Sequence, residues 1–400
     1  MNQNSKKRIL IFSLVYYPKF IGGAEVAIKE ITDRLGEDFE FDMVTLRLDE
    51  KLPKFERAGN VNVYRVGFAG HQGATSDSLP WYLHLNKYLL LYTGWRKAKK
   101  LQKQNPYDLV WSMMATYNSF AALFFKYSFS KIPFLLTLQE GDPIPYIKKR
   151  ALPLWPIFKR IFTKADNIQT ISNYLADFAK SMGAKCEIDV VPNGVDVKHF
   201  SKDLNQDLKK DIWNKVEKKD DDVLLITASR LVVKNAVEDI ILSLKYLPSN
   251  HKLIICGRGY EEERLRKVAN ENMFNDRVFF IGYVSHKDLP IWLKSSDIFI
   301  RPSLSEGFGN SFIEAMASRI PVIATRVGGI SDFVFDNETG FICNVSDPKS
   351  ISDKVNLIVV NSVLKDKVVN QAFQMVKDKY DWNTISNQIK DVFVKCLKKA

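Results

Sequence analysis

Ser303-Leu-Ser-Glu306-Gly-Phe-Gly-Asn-Ser-Phe-Ile-Glu314-Ala-Met-Ala-Ser-Arg319-Ile-Pro321-Val-Ile-Ala324 sets two carboxylates eight positions apart, on either side of a glycine-broken turn. The preceding Asp297-Ile-Phe-Ile-Arg-Pro302 reads as a buried strand, and apolar residues recur at helical spacing from Asn310 to Ser318. Glu306 is therefore expected on a loop and Glu314 inside a helix. A helix N-terminus presents unpaired backbone N–H groups and the positive end of its dipole, so Gly307, Phe308, Gly309 and Asn310 form a candidate phosphate cradle. Ionised carboxylates accept hydrogen bonds from hydroxyls. Two of them beside such a cradle suit a ligand carrying both phosphate and sugar, a nucleotide sugar.

Short apolar strands alternate with amphipathic helical segments through the rest of the chain. Arg8–Leu14, Phe41–Leu46, Val61–Val66, Asp108–Met113, Phe134–Leu138, Asn167–Ile171 and Ile188–Val191 are expected strands, with helices over Ala24–Leu35 and Asn118–Tyr127 among them. After a polar stretch, Lys198 to Asp222, the pattern restarts with expected strands at Val223–Ala228, Lys252–Cys256, Val278–Ile281, Ile298–Arg301 and Pro321–Ala324. Such alternation implies α/β architecture with parallel sheets covered by helices, here twice. The 400 residues, 46% hydrophobic and 26% charged, are too many for one core. We expect an N-terminal domain over 1–197, a second over 198–380, and an amphipathic C-terminal helix within 381–400. In each sheet a ligand should lie beyond the carboxyl ends of the strands.

Several further stretches stand in a fixed order: Tyr17-Pro18 with Gly22-Gly23-Ala-Glu25, Val191-Pro-Asn193-Gly194-Val-Asp196, Ala228-Ser-Arg230-Leu-Val-Val-Lys234-Asn, the Glu306 to Glu314 segment followed by Pro321-Val-Ile-Ala-Thr, and Asn337-Glu-Thr-Gly340-Phe. Together they resemble the retaining glycosyltransferases of family 4, which have the GT-B fold. That resemblance implies two Rossmann-like doubly wound domains facing a central cleft, the acceptor on the first and the donor on the second, and a C-terminal helix that crosses back to the first. It implies that Arg230 and Lys234 meet the donor diphosphate, that Glu314 accepts from ribose hydroxyls, that Glu306 lies near the donor sugar, and that Gly22 and Gly23 let backbone approach a phosphate or sugar. In the retaining scheme the donor's own phosphate oxygen acts as base in a same-face substitution, and the protein positions the reactants and stabilises the leaving diphosphate.

The chain departs from the family pattern twice. Gln139, in Thr137-Leu-Gln139-Glu140-Gly-Asp142, stands where many relatives carry a histidine near the transferred sugar; glutamine donates and accepts but does not titrate. Glu140 and Asp142 become candidate acceptor ligands. Arg319 stands where relatives usually have glycine. The Gly257-Arg-Gly259 segment imitates the start of a dinucleotide fingerprint, but its third glycine is Glu262, so a dehydrogenase is not indicated.

Net charge is +12, and its placement is uneven. No acid occurs from His84 to Tyr107 or from Ile147 to Ala165. The second run interleaves Lys148, Lys149, Arg150, Lys159, Arg160 and Lys164 with apolar residues including Trp155. Two readings stay open, contact with an anionic membrane surface or a solvated helix face packed by its apolar stripe. Nucleic-acid motifs are absent. The four cysteines are far apart without a CxxC pair, histidines never fall at metal-ligand spacing, and no DxD motif is present, so neither a disulfide framework nor a metal is expected. No apolar run reaches the length of a membrane span, and no signal peptide is evident. The expectation is a cytoplasmic, metal-independent glycosyltransferase, soluble or peripheral on the inner membrane face, using a nucleotide-diphosphate sugar and a glycan or lipid-linked acceptor. A transferase with a soluble acceptor and a silent sugar-nucleotide-binding scaffold are the alternatives.

Overall fold

Runs of four to six consecutive apolar residues, rather than alternating ones, form strands buried on both faces, as parallel sheets require. The computed structural model describes residues 6–70 and 81–399, which divide into two compact units, one holding those up to 193 and from 382 onward, the other 194–381. The divisions fall at Asn193/Gly194 and Asp381/Trp382.

The first unit contains β1 (Lys7–Phe12), α1 (Gly23–Leu35), β2 (Phe39–Leu46), β3 (Phe55–Ala58), β4 (Val61–Val66), α2 (Trp81–Gln104), β5 (Leu109–Met113), α3 (Tyr117–Ser128), β6 (Phe134–Leu138), α4 (Ile144–Ala151), α5 (Trp155–Thr163), β7 (Asn167–Thr170), α6 (Asn173–Ser181) and β8 (Glu187–Val190). Its sheet has the order β3-β4-β2-β1-β5-β6-β7-β8, parallel except for the β3–β4 pair. The edge strand β3, Phe-Glu-Arg-Ala, was not among the expected strands, because its two apolar residues are separated by two charged ones and form no apolar run.

The second unit contains α7 (Val197–Ser201), α8 (Gln206–Lys215), β9 (Val223–Ala228), α9 (Val237–Ser243), β10 (His251–Cys256), α10 (Glu262–Glu271), β11 (Val278–Gly282), α11 (Leu289–Lys294), β12 (Ile298–Arg301), α12 (Asn310–Ala317), β13 (Val322–Thr325), β14 (Phe341–Cys343), α13 (Pro348–Val360) and α14 (Ser362–Lys379). Its parallel sheet has the order β11-β10-β9-β12-β13-β14. The three-residue β14 was also unforeseen.

The last helix, α15 (Trp382–Leu397), belongs to the first unit. Trp382, Ile385, Ile389, Phe393 and Cys396 recur every three to four residues and bury one face in the core. Phe393 meets Trp111, Phe39 and Phe41 at ring separations of 5.1, 5.5 and 6.5 Å. Burying such a side chain contributes roughly 1.5–3 kcal/mol. Polar contacts fix the outer face: Lys395 Nζ pairs with Asp189 at 2.5 Å and Glu187 at 2.8 Å. Among the described residues no helix is long and apolar enough to cross a membrane.

Candidate active site

The second sheet reverses its strand order between β9 and β12, so the loops leaving these two carboxyl ends diverge and open a crevice, the usual ligand position in an open α/β sheet. Arg230 lies two residues beyond β9, and Lys234 lies in the 3-10 turn Val233–Asn235. The motif's Lys234 thus precedes the next helix, because α9 begins only at Val237, after Ala236 with its left-handed φ of 49°. Glu306 is on the loop after β12 and Glu314 is inside α12.

Two residues unmarked in the sequence reading join these loops. Asn235, buried, donates from Nδ2 to the Arg230 carbonyl (2.7 Å) and accepts at Oδ1 from Arg301 Nη2 (3.1 Å). The Arg301 guanidinium also donates to Ser311 Oγ (2.8 Å) and forms an ion pair with Glu306 Oε2, the two side chains being 11% and 10% exposed. Glu306 Oε1 accepts from the Gly307 N–H at 3.1 Å. Glu306 is therefore held by a buried cation and not free on a loop surface. An arginine ending an otherwise apolar strand was the available signal.

Close backbone contacts complete the loop. Gly309, the N-cap of α12, has φ 98°, and a Cβ there would lie 2.6 Å from the Phe312 ring. A Cβ on Gly328 would lie 2.0 Å from the Glu306 carbonyl, which accepts from the Gly329 N–H at 3.1 Å. Phe308 offers only its backbone to a cradle, because its ring is 1% exposed and packs on Phe333 and Tyr380. Glu314 is 8% exposed, with Oε1 3.2 Å from Nε2 of His286 on the loop after β11. The Gly257–Gly259 segment braces the Arg230 loop, the Leu231 N–H donating to the Arg258 carbonyl at 2.9 Å. Arg319 adopts φ 59° at the end of α12, and its guanidinium lies 3.7 Å from the Phe373 ring centroid.

The first sheet reverses between β1 and β5. Gly22 and Gly23 lie exposed where α1 begins, and the Gly22 N–H donates to Glu25 Oε2 at 2.8 Å. Beyond β6, Gln139 and Asn193 exchange amide hydrogen bonds of 3.0 and 3.3 Å, tying Gln139 to the residue at which the chain leaves this unit. Glu140 is 3% exposed; Oε1 accepts from the Ala115 N–H at 2.6 Å, and Oε2 has no partner among the described residues. Burial pushes its carboxyl up to about 7. Asp142 is half-buried just before α4.

The basic run splits into α4 and α5 around the turn Leu152–Leu154. Phe158, Ile161 and Phe162 enter the core and serve packing, whereas Leu154, Trp155 and Ile157 are half-buried and Leu152 is exposed. Lys149, Arg150, Lys159 and Arg160 are exposed, while Lys148 and Trp155 are half-buried.

Comparison with known proteins agrees along the chain. Residues 21–199 match the family described as Glycosyltransferase Family 4, and residues 209–375 match Glycosyl transferases group 1. An uncharacterised glycosyltransferase of Methanocaldococcus jannaschii is 23% identical over 96% of this chain and 97% of its own. A GDP-mannose-dependent alpha-(1-6)-phosphatidylinositol monomannoside mannosyltransferase of Mycobacterium tuberculosis is 26% identical over 59% of this chain and 63% of its own. Among solved structures, sucrose-phosphate synthase from Thermosynechococcus elongatus superposes with TM-score 0.85 at 18% identity, covering 99% of this chain and 100% of that one.

Proposed function

The chain belongs to the group 1, family 4 glycosyltransferases, and from that premise we propose that it moves a hexose from a nucleotide-diphosphate sugar to a lipid-linked or polysaccharide acceptor at the cytoplasmic membrane face, with retention, forming an α linkage. The observation that carries the donor side is the gathering of Arg230, Lys234 and the glycine-capped start of α12 on the two loops at the strand reversal. Arg230 supplies a planar fork and Lys234 a point charge to the diphosphate, and the helix end adds its dipole. These groups do the work of a cation, so the reaction requires no resident metal. Glu314 accepts from the ribose hydroxyls. Glu306, oriented by Arg301, accepts from the hexose.

In the transfer step the bond from the anomeric carbon to the phosphate oxygen breaks as the acceptor oxygen bonds to the same face, and the acceptor proton passes to the leaving phosphate oxygen. The protein's part is to hold both reactants and the developing charge. Glu140 and Asp142 serve the acceptor. The exposed bases of α4 and α5 and the similarity to a transferase whose name specifies a phosphatidylinositol acceptor support a lipid-linked one.

A thermal-shift panel of UDP-, GDP- and ADP-sugars with and without magnesium tests the donor site, because a ligand bound only by the folded state raises the melting temperature. One nucleotide family is expected to raise it irrespective of magnesium. Lys234→Ala and Glu314→Ala should each abolish most of that shift and lower transfer roughly tenfold to a hundredfold, the scale of one hydrogen bond to a charged group. Full activity in both variants would sink the assignment.

A further inference from the structure

Within the second unit, Glu314 has a neighbour that no motif marked. His286, on the loop between β11 and α11, places Nε2 3.2 Å from Glu314 Oε1 across 28 positions of sequence. An ionised carboxylate only accepts, so Nε2 carries the proton and donates. The turn that bears the ring is closed on itself: Ser285 Oγ donates to Asp288 Oδ2 at 2.6 Å, the Asp288 N–H donates to Ser285 Oγ at 3.3 Å, and the Leu289 N–H donates to the Ser285 carbonyl at 2.9 Å. From α7 the ring is braced by the buried Phe200, 5.1 Å away at 68°, with the His199 ring 6.4 Å away on the same side of the chain. A plain clip between loop and helix would use these contacts equally well. What points to the ligand side is place: His286 follows β11 at the same carboxyl edge as Arg230, Lys234 and the glycine-capped start of α12, and its side chain stays 45% exposed there while that of Glu314 is 11% exposed.

We propose that His286 is a positioning residue for the donor: by holding Oε1 it fixes the Glu314 carboxylate before the nucleotide arrives, leaves the second oxygen to a ribose hydroxyl, and so sets how strongly the protein prefers a ribonucleotide to its deoxy counterpart. The proposal rests on the reading of Glu314 as the ribose ligand and adds the residue that prepares it. A glutamate side chain has several rotatable bonds, and immobilising it when a ligand binds weakens affinity. A donor already seated on one carboxylate oxygen moves that entropy loss from binding to folding, so the hydrogen bond to the hydroxyl is made by a group that no longer has to be ordered. The neutral Nε2–H tautomer and the imidazolium both donate from Nε2, so the arrangement holds in either state of the ring. Phe200, through its ring contact, keeps the imidazole from swinging away from α12.

The test is a cycle of variants against ligands, read by calorimetric titration of the full chain with UDP, GDP and ADP and with the 2′-deoxy and 3′-deoxy forms of whichever binds. Wild type should bind the ribonucleotide about tenfold more tightly than at least one deoxy form, the scale of one hydrogen bond to a charged group. His286→Phe keeps a ring against Phe200 and removes the donor; it should weaken the ribonucleotide by about tenfold, leave that deoxy form nearly unchanged, and so shrink the preference to about twofold or less. His286→Met removes the donor without a ring and should do the same. His286→Gln, whose amide can donate from a similar position, should restore most of the preference. In Glu314→Ala the preference should vanish, and adding His286→Phe should cost nothing further, because the two residues act through one hydrogen bond. A loss in His286→Phe and His286→Met that is equal for ribonucleotide and deoxy forms, or that adds in full to the loss in Glu314→Ala, overturns the proposal and leaves His286 as a structural clip. Equal binding of all three forms by wild type removes the ribose role of Glu314 and the proposal with it. If no nucleoside diphosphate binds wild type, the donor reading itself falls.

Discussion

Arg301→Met alone is expected to lower stability by about 3–5 kcal/mol, the cost of stranding a buried charge when its partner is removed. The substitution leaves the Glu306 carboxylate without its cation and Asn235 Oδ1 without its donor, in a place where both ionic side chains are about nine-tenths covered. Pairing it with Glu306→Gln neutralises the stranded charge. Urea denaturation of the double variant should recover most of the loss, with an unchanged slope, while transfer stays low because the carboxylate proposed to accept from the hexose is replaced by a neutral amide. That divergence separates the structural role of the pair from the functional one. A single-variant cost below about 1 kcal/mol would mean that solvent screens the pair. A double variant as unstable as the single would place the cost in the Asn235 and Ser311 hydrogen bonds instead.

Glu140→Gln is expected to stabilise the protein above pH 7 and to change little below pH 4.5. The wild-type carboxyl is raised from 4.5 to about 7 by burial, against the opposing pull of the Ala115 N–H. A raised acid binds its proton more tightly when folded, so its contribution is complete below the unfolded value, declines between 4.5 and 7, and is absent above. At about 1.4 kcal/mol per unit the full difference is on the order of 3 kcal/mol. Glutamine keeps an acceptor for the Ala115 N–H and removes the charge, so the stability difference between variant and wild type should open across that window in denaturant melts at successive pH values. Parallel curves for the two proteins would show that Glu140 is not desolvated as its 3% exposure implies.

The role of Gln139 changes in the same light. Its amide is engaged with Asn193 at both polar ends, so where relatives carry a titrating group this chain has a fixed link between the β6 loop and the exit from the first unit. Glu140, its neighbour, is the buried titrating group of this loop.

Sequence alone determined the two parallel sheets, because strands covered on both faces must be apolar without interruption, as in Ile9–Phe12 and Ile298–Ile300. It also determined that Glu306 precedes a helix and Glu314 lies within it, because a glycine-broken turn and helical spacing are local properties. It placed the family's motifs in order. Only the tertiary structure decided what each of these groups touches. Asn235 and Arg301 are 66 positions apart, one beyond β9 and the other at the end of the neighbouring β12, and Gln139 and Asn193 are 54 apart and follow β6 and β8 on either side of β7; they meet because a parallel sheet brings its carboxyl ends to one edge, which no local propensity records. The apolar residues of the basic run could be divided between core and surface only by the helices that pack on them, which bury Phe158 and Phe162 and leave Leu152 exposed. The stripe of Leu85, Tyr88, Leu89 and Tyr92 on α2 was hidden for the converse reason. Its spacing is that of an ordinary core-facing helix, and only its 47–54% exposure distinguishes a surface open to a partner from one already covered.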